Sequence, residues 1–133
     1  MPYDIIILAA AKAAKVSGSL LLAICMHETG LKNVTVRQDG GSPTYGLCQV
    51  KYETAQGLGY DGMPDGLLIP ETNAKYAALY LKKQLIRYDY DQNKAVAAYN
   101  AGRYNESTKY PGYPKNLKYV KKVLEIYAKN NDS

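Results

Sequence analysis

The chain has 133 residues, 47% of them apolar, with eleven glycines and six prolines. That is the size and composition of one globular domain spanning the whole chain, and it excludes a disordered or fibrous protein. The net charge of +5 favours acidic polymers and surfaces as partners, but the lysines are scattered and no nucleic-acid-binding motif accompanies them.

The first fifteen residues, M-P-Y-D-I-I-I-L-A-A-A-K-A-A-K, have an apolar middle that invites comparison with a signal peptide. They lack a positive leading region, carry Asp4 where a basic residue would stand, and resume with Lys12 and Lys15 at helical spacing. The expectation is an amphipathic helix over Asp4–Lys15, capped by Asp4, in a protein without a cleaved leader. No apolar run approaches the roughly 18 residues that cross a bilayer, so no membrane insertion is expected.

Ser17 to Gly30 follows, and its middle, Leu20 to Met26, is apolar without a break. A helix of this kind is greasy on almost every face and must be wrapped by other elements. Ser17 or Ser19 can cap its start, and Gly30 can supply the left-handed residue that ends it. Glu28 lies in the last turn, directly after the apolar run. Apolar walls and the negative end of the helix dipole both disfavour a charged carboxylate there. Its pKa is therefore expected to be raised, as a proton donor near neutral pH requires. His27 points about 100° away from Glu28 on a helix, which suits a groove-wall or surface role.

Leu31 to Tyr45 reads as loop, with turn formers from Asp39 to Pro43 and at most a minor hairpin between Thr35 and Val50. A short helix is expected over Tyr52–Leu58, and Gly57 to Pro70 reads as turns, with Pro70 opening the next helix. From Glu71 to Tyr88, the residues Ala74, Ala77, Ala78, Leu81, Leu85 and Tyr88 fall on one helical face, with the central apolar helix as the natural neighbour. Asp91 can cap a short helix that Gly102 closes. Arg103 to Pro114 is an aromatic-bearing loop, and a last helix over Pro114–Lys129 turns Leu117, Val120, Leu124 and Tyr127 inward. The chain is thus mainly α.

Two cysteines, Cys25 and Cys48, match neither a metal motif nor a disulfide scaffold, and buried free thiols are expected. No metal or cofactor site is expected. Fourteen tyrosines with no Trp and no Phe offer rings that pack and hydroxyls that hydrogen-bond, which suits a polar ligand with apolar faces such as a sugar.

Three patterns stand in order: Glu28-Thr29 at the end of the apolar helix, Gly46-Leu47-Cys48-Gln49-Val50, and Ala98-Tyr99-Asn100-Ala101-Gly102. Together they resemble the lysozyme-like catalytic domain of the soluble lytic transglycosylase (SLT) type. Its pattern is Glu-Ser, Gly-Leu-Met-Gln, Ala-Tyr-Asn-Ala-Gly and a late tyrosine, and the likeness runs from Leu20 to Leu124. The resemblance implies a mainly α, lysozyme-like single domain with at most a small hairpin. It also implies that Glu28 is the single catalytic acid and base, with Tyr99 and Tyr119 beside it. Thr29 stands in place of the usual Ser and Cys48 in place of the usual Met. Thr29, Gln49, Asn100 and Tyr45 would bind substrate, although Tyr99 reads equally well as a core tyrosine.

The implied partner is the glycan of bacterial peptidoglycan, cut between N-acetylmuramic acid and N-acetylglucosamine to leave a 1,6-anhydro end. No nucleic acid is expected as a partner, and a monomer is. Asp39 could instead supply the second carboxylate of a lysozyme-like hydrolase, and a wall-binding module without chemistry is the non-enzymatic alternative. Small size without a leader looks like a phage-type lysis enzyme delivered by a holin, or a virion component.

Overall fold

In the computed structural model, which describes residues 2–36 and 41–131, the apolar run becomes the middle of helix α2 (Gly18–Thr29). Leu20, Leu21, Ala23, Ile24 and Cys25 are all buried. Of the two candidate caps it is Ser17 that acts, its hydroxyl accepting the Leu20 N–H at 3.2 Å. Gly30 ends the helix at φ 65°, and its N–H donates to the Met26 carbonyl at 2.8 Å. Helix α1 (Tyr3–Ala14) covers one side of α2, and α6 (Leu117–Asn131) covers another.

Helix α1 starts one residue earlier than expected, and Asp4 is not its cap. The extended Pro2 takes the N-cap position, and the Asp4 carboxylate, already inside the first turn, accepts only the adjacent Ile5 N–H at 2.9 Å. An acid in the first turn still favours the positive helix end.

After α2 the chain forms three two-residue strands, β1 (Thr35–Val36), β2 (Thr44–Tyr45) and β3 (Val50–Lys51), antiparallel in the order β1-β2-β3. Thr35 faces Tyr45, and Thr44 faces Lys51. The third strand extends the expected hairpin because Gly46 and Gln49 both adopt left-handed backbone, φ 77° and 53°, and fold the chain back on itself. Asp39 lies outside the described residues.

Helix α3 (Tyr52–Gly57) and a 3₁₀ turn over Pro64–Leu68 lead to α4 (Pro70–Arg87), with Pro70 at its first position as expected. Asp91 caps α5 (Gln92–Ala101) by accepting the Lys94 N–H at 3.0 Å, and Gly102 closes it at φ 87°. Helix α6 begins at Leu117, because Pro114 is held in an extended bridge with Glu106. Along α6, Val120 and Val123 are fully inside while Leu117, Leu124 and Tyr127 are half-buried.

Two further expectations are corrected. The alanine-rich helix α4 packs chiefly on α1 and α5 and only marginally on α2. Cys25 and Cys48 are joined in a disulfide with Cα atoms 4.3 Å apart. The turn after β2 lies across the end of α2, so two thiols 23 positions apart in the chain meet in the core, both fully buried. No spacing rule reveals that fold-back.

Among the described residues no helix is long and apolar enough to cross a membrane.

Candidate active site

Glu28 occupies the last turn of α2, held half inside the protein because the helix enters the core and stops at Gly30. Burial pushes its carboxyl pKa up, and a hydrogen bond from Tyr119 partly opposes the shift. The Tyr119 hydroxyl, on α6, donates to Glu28 Oε2 at 2.8 Å across 91 positions of sequence. Burial, the nearby Glu28 charge and this hydrogen bond drive the Tyr119 phenol far above its ordinary value. It therefore stays a donor at any working pH. His27 is exposed, the surface position that was one of the two expected for it, and its ring meets the Tyr119 ring edge-on at 5.1 Å.

Opposite Glu28 stands the turn Gly46–Val50, fixed from several directions. Asn73, completely buried on α4, accepts the Cys48 N–H at 3.0 Å and donates to the carbonyls of Tyr45 at 2.7 Å and Leu67 at 2.8 Å. The Tyr99 hydroxyl donates to the Cys48 carbonyl at 2.8 Å. The Thr29 hydroxyl donates to the Leu47 carbonyl at 2.8 Å and accepts the Lys32 N–H at 3.0 Å. The disulfide adds a covalent tie from α2 to the same turn. Gly46 has no room for a side chain, since a Cβ there would lie 2.4 Å from Asn73 Nδ2.

A cavity of about 150 Å³ opens between this turn, α2 and α5, lined by Glu28, Gln49, Tyr99 and Asn100 together. Four of the residues expected at the site thus meet around one space. Gln49 lines it with its amide already engaged: Nε2 donates to the carbonyls of Val34 at 3.1 Å and Gly46 at 3.0 Å, and Oε1 accepts from the Thr44 hydroxyl. The partners that a buried amide needs are supplied here by the protein. Asn100 Oδ1 accepts from Asn116 at 2.9 Å, which leaves the Asn100 amide hydrogens without a protein partner among the described residues. Tyr99 is buried, and desolvation holds its phenol well above the ordinary value, so it is neutral and its hydroxyl is committed to Cys48.

Not all the expected residues come to the cavity. Thr29 spends its hydroxyl on backbone, and Tyr45 packs half-buried against the core without lining the cavity. Tyr119 reaches Glu28 from behind.

The family described as Transglycosylase SLT domain matches residues 5–120. The chain belongs to the transglycosylase SLT domain family. Its fold is similar to that of an inactive Glu-to-Gln mutant of the lytic transglycosylase Slt from Pseudomonas aeruginosa, with 20% identity and a TM-score of 0.74. The alignment covers 95% of this chain and 23% of that one. It is also similar to the 70-kDa soluble lytic transglycosylase from Escherichia coli, at 22% identity, TM-score 0.64, covering 96% of this chain and 19% of that one. A 70-kDa soluble lytic transglycosylase in complex with bulgecin A matches at 23% identity and TM-score 0.64, over 96% of this chain and 19% of that one. This SLT domain therefore spans about a fifth to a quarter of the solved chains it matches.

Within the SLT domain, several cavity residues escaped sequence reasoning. Thr44 is buried beside Gln49, and Tyr80 on α4 meets the Tyr99 ring at a tilt of 55° with ring centres 5.1 Å apart. Lys51 and Thr54 line the same space from the far side of the Gln49 turn. Asn116, which holds Asn100, precedes α6 in a stretch that read as helix. None of these carries a local signal. Asn73 was the one open to discovery, because an amide on the apolar face of a predicted helix needs partners.

Proposed function

We propose that this SLT domain is a peptidoglycan lytic transglycosylase that cuts the β-1,4 bond between N-acetylmuramic acid and N-acetylglucosamine without water, with Glu28 as sole acid and base. The reading rests on one observation: among the described residues Glu28 is the only carboxylate lining the cavity, and burial favours its protonated form. The solved relatives, themselves named lytic transglycosylases, fit the reading.

Protonated Glu28 donates to the glycosidic oxygen as the bond to the anomeric carbon breaks, and the substrate's own N-acetyl oxygen closes on that carbon. The Glu28 carboxylate then takes the proton of the sugar's 6-hydroxyl, whose oxygen displaces the N-acetyl group and completes the anhydro ring. Tyr119 steadies the carboxylate between the two steps, since a fixed donor in a poorly solvated site acts more strongly than in water. Tyr99 acts at one remove by holding the Cys48 carbonyl, and hence the Gln49 turn, in place. The free Asn100 amide and the Gln49 wall shape the sugar groove.

Mass spectrometry of digested cell wall tests this. Anhydro ends are expected, and Glu28→Gln should reduce wall clearing by about 100-fold or more. Reducing ends, one water heavier, would point to a hydrolase instead.

A further inference from the structure

Asn116 stands where an asparagine ordinarily serves its own helix. It lies directly before α6, and its carbonyl accepts the Val120 N–H at 3.2 Å, the first bond of that helix. An asparagine in this position usually turns its side-chain oxygen back to accept an N–H of the first turn. Here no such bond forms among the described residues. The side chain crosses instead to α5, where Nδ2 donates to the Ala97 carbonyl at 3.0 Å and to Asn100 Oδ1 at 2.9 Å. A favourable helix cap is forgone for a contact with a residue that lines the cavity, and a broken local rule of this kind is expected at functional positions.

The backbone fixes the direction of that contact. A peptide carbonyl only accepts, so the Asn116 atom that faces Ala97 must be nitrogen. The same nitrogen faces Asn100, so the Asn100 atom that meets it must be oxygen. Asn100 is exposed, and its amide would otherwise turn over freely. It is held one way round, with both of its hydrogens left for the cavity. We propose that Asn116 is a positioning residue that sets the polarity of Asn100, so that the groove meets an acceptor oxygen of the substrate there with a donor. The proposal rests on the substrate reading above, and its test separates the two.

Soluble glycan strands are titrated against protein carrying Glu28→Gln, in which the strands stay intact, alone and combined with Asn116→Asp or Asn116→Ser. Both replacements suit a helix start as well as asparagine does, so the melting temperature should be kept. An aspartate cannot donate, so the Asn100 amide turns its hydrogens toward it and shows the cavity an oxygen. Kd should then rise by about tenfold. Serine only frees the amide to turn, and Kd should rise by about threefold. With Asn100→Ala also present, neither replacement should change Kd further, because both act through that amide. In the protein that keeps Glu28, the same factors should appear in KM, with kcat unchanged. Unchanged Kd and KM in Asn116→Asp would overturn the proposal. So would a rise that persists beside Asn100→Ala, which would trace to the added charge or to a disturbed helix start. In both cases, binding and cleavage of the strands by protein with Asn116 intact keep the substrate reading standing. If that protein neither binds nor cleaves them, the reading and the positioning role fall together.

Discussion

Glu28 sits under two opposed influences: desolvation favours its neutral form and Tyr119 favours its charged form, and the balance lies toward the neutral form. Tyr119→Phe removes only the second influence, so the Glu28 pKa should rise further. The alkaline limb of the kcat/KM profile, where the acid loses its proton, should then move to higher pH, while kcat falls by about tenfold to 100-fold. A limb that moves to lower pH would contradict the assignment. Stability carries the same signature. The native carboxyl keeps its proton to a higher pH than the unfolded chain does, so the native state binds more protons between those two values, and stability drops as pH rises through that window. Glu28→Gln removes the drop. Its melting temperature should exceed the parent's at neutral pH, and the gap should close as pH falls below the ordinary carboxylate range.

At the scale of elements, the Gly46–Val50 turn places the cavity wall, and its anchors come from α2, α4 and α5. Gly46→Ala combines a left-handed backbone with a Cβ driven against Asn73. It should cost about 2–4 kcal/mol in denaturant unfolding, with loss of activity in the protein that still folds. Replacing both cysteines with alanine removes a bridge between residues 23 positions apart and should cost about 3 kcal/mol. The helices themselves were legible in sequence, because apolar periodicity and the residues Ser17, Gly30, Pro70, Asp91 and Gly102 act over a few positions. The Glu28, Gln49 and Tyr99-Asn100 motifs were legible for the same reason of local pattern. The disulfide, the third strand and the contributions of Thr44, Tyr80 and Lys51 were not. Tyr80 arrives through the packing of α4 on α5, and the others depend on left-handed residues folding distant segments together, of which a non-glycine such as Gln49 at φ 53° gives no warning. The commitment of the Thr29 hydroxyl to the Leu47 carbonyl was hidden likewise.

Across the whole molecule, the site exists only when the chain is fully folded. Glu28 comes from α2, its partner Tyr119 from α6, Tyr99 from α5, and the facing wall from the small sheet. A common fold at 20% identity and a TM-score of 0.74 shows how little of the sequence the fold itself demands. Most of it is apolar filling, which tolerates substitution if volume and pattern are kept.

The bridge from Cys25 to Cys48 has an effect once the fold is gone. A melted chain that keeps it still carries the acid and the glutamine beside a single closed ring, and the entropy of bringing them together is already spent. Cooling then starts with the two sides of the cleft tethered. After brief boiling, wall-clearing activity should return faster and more completely when no thiol reductant is present during the heating. Equal recovery with and without the reductant would mean that the tether does nothing for the return journey.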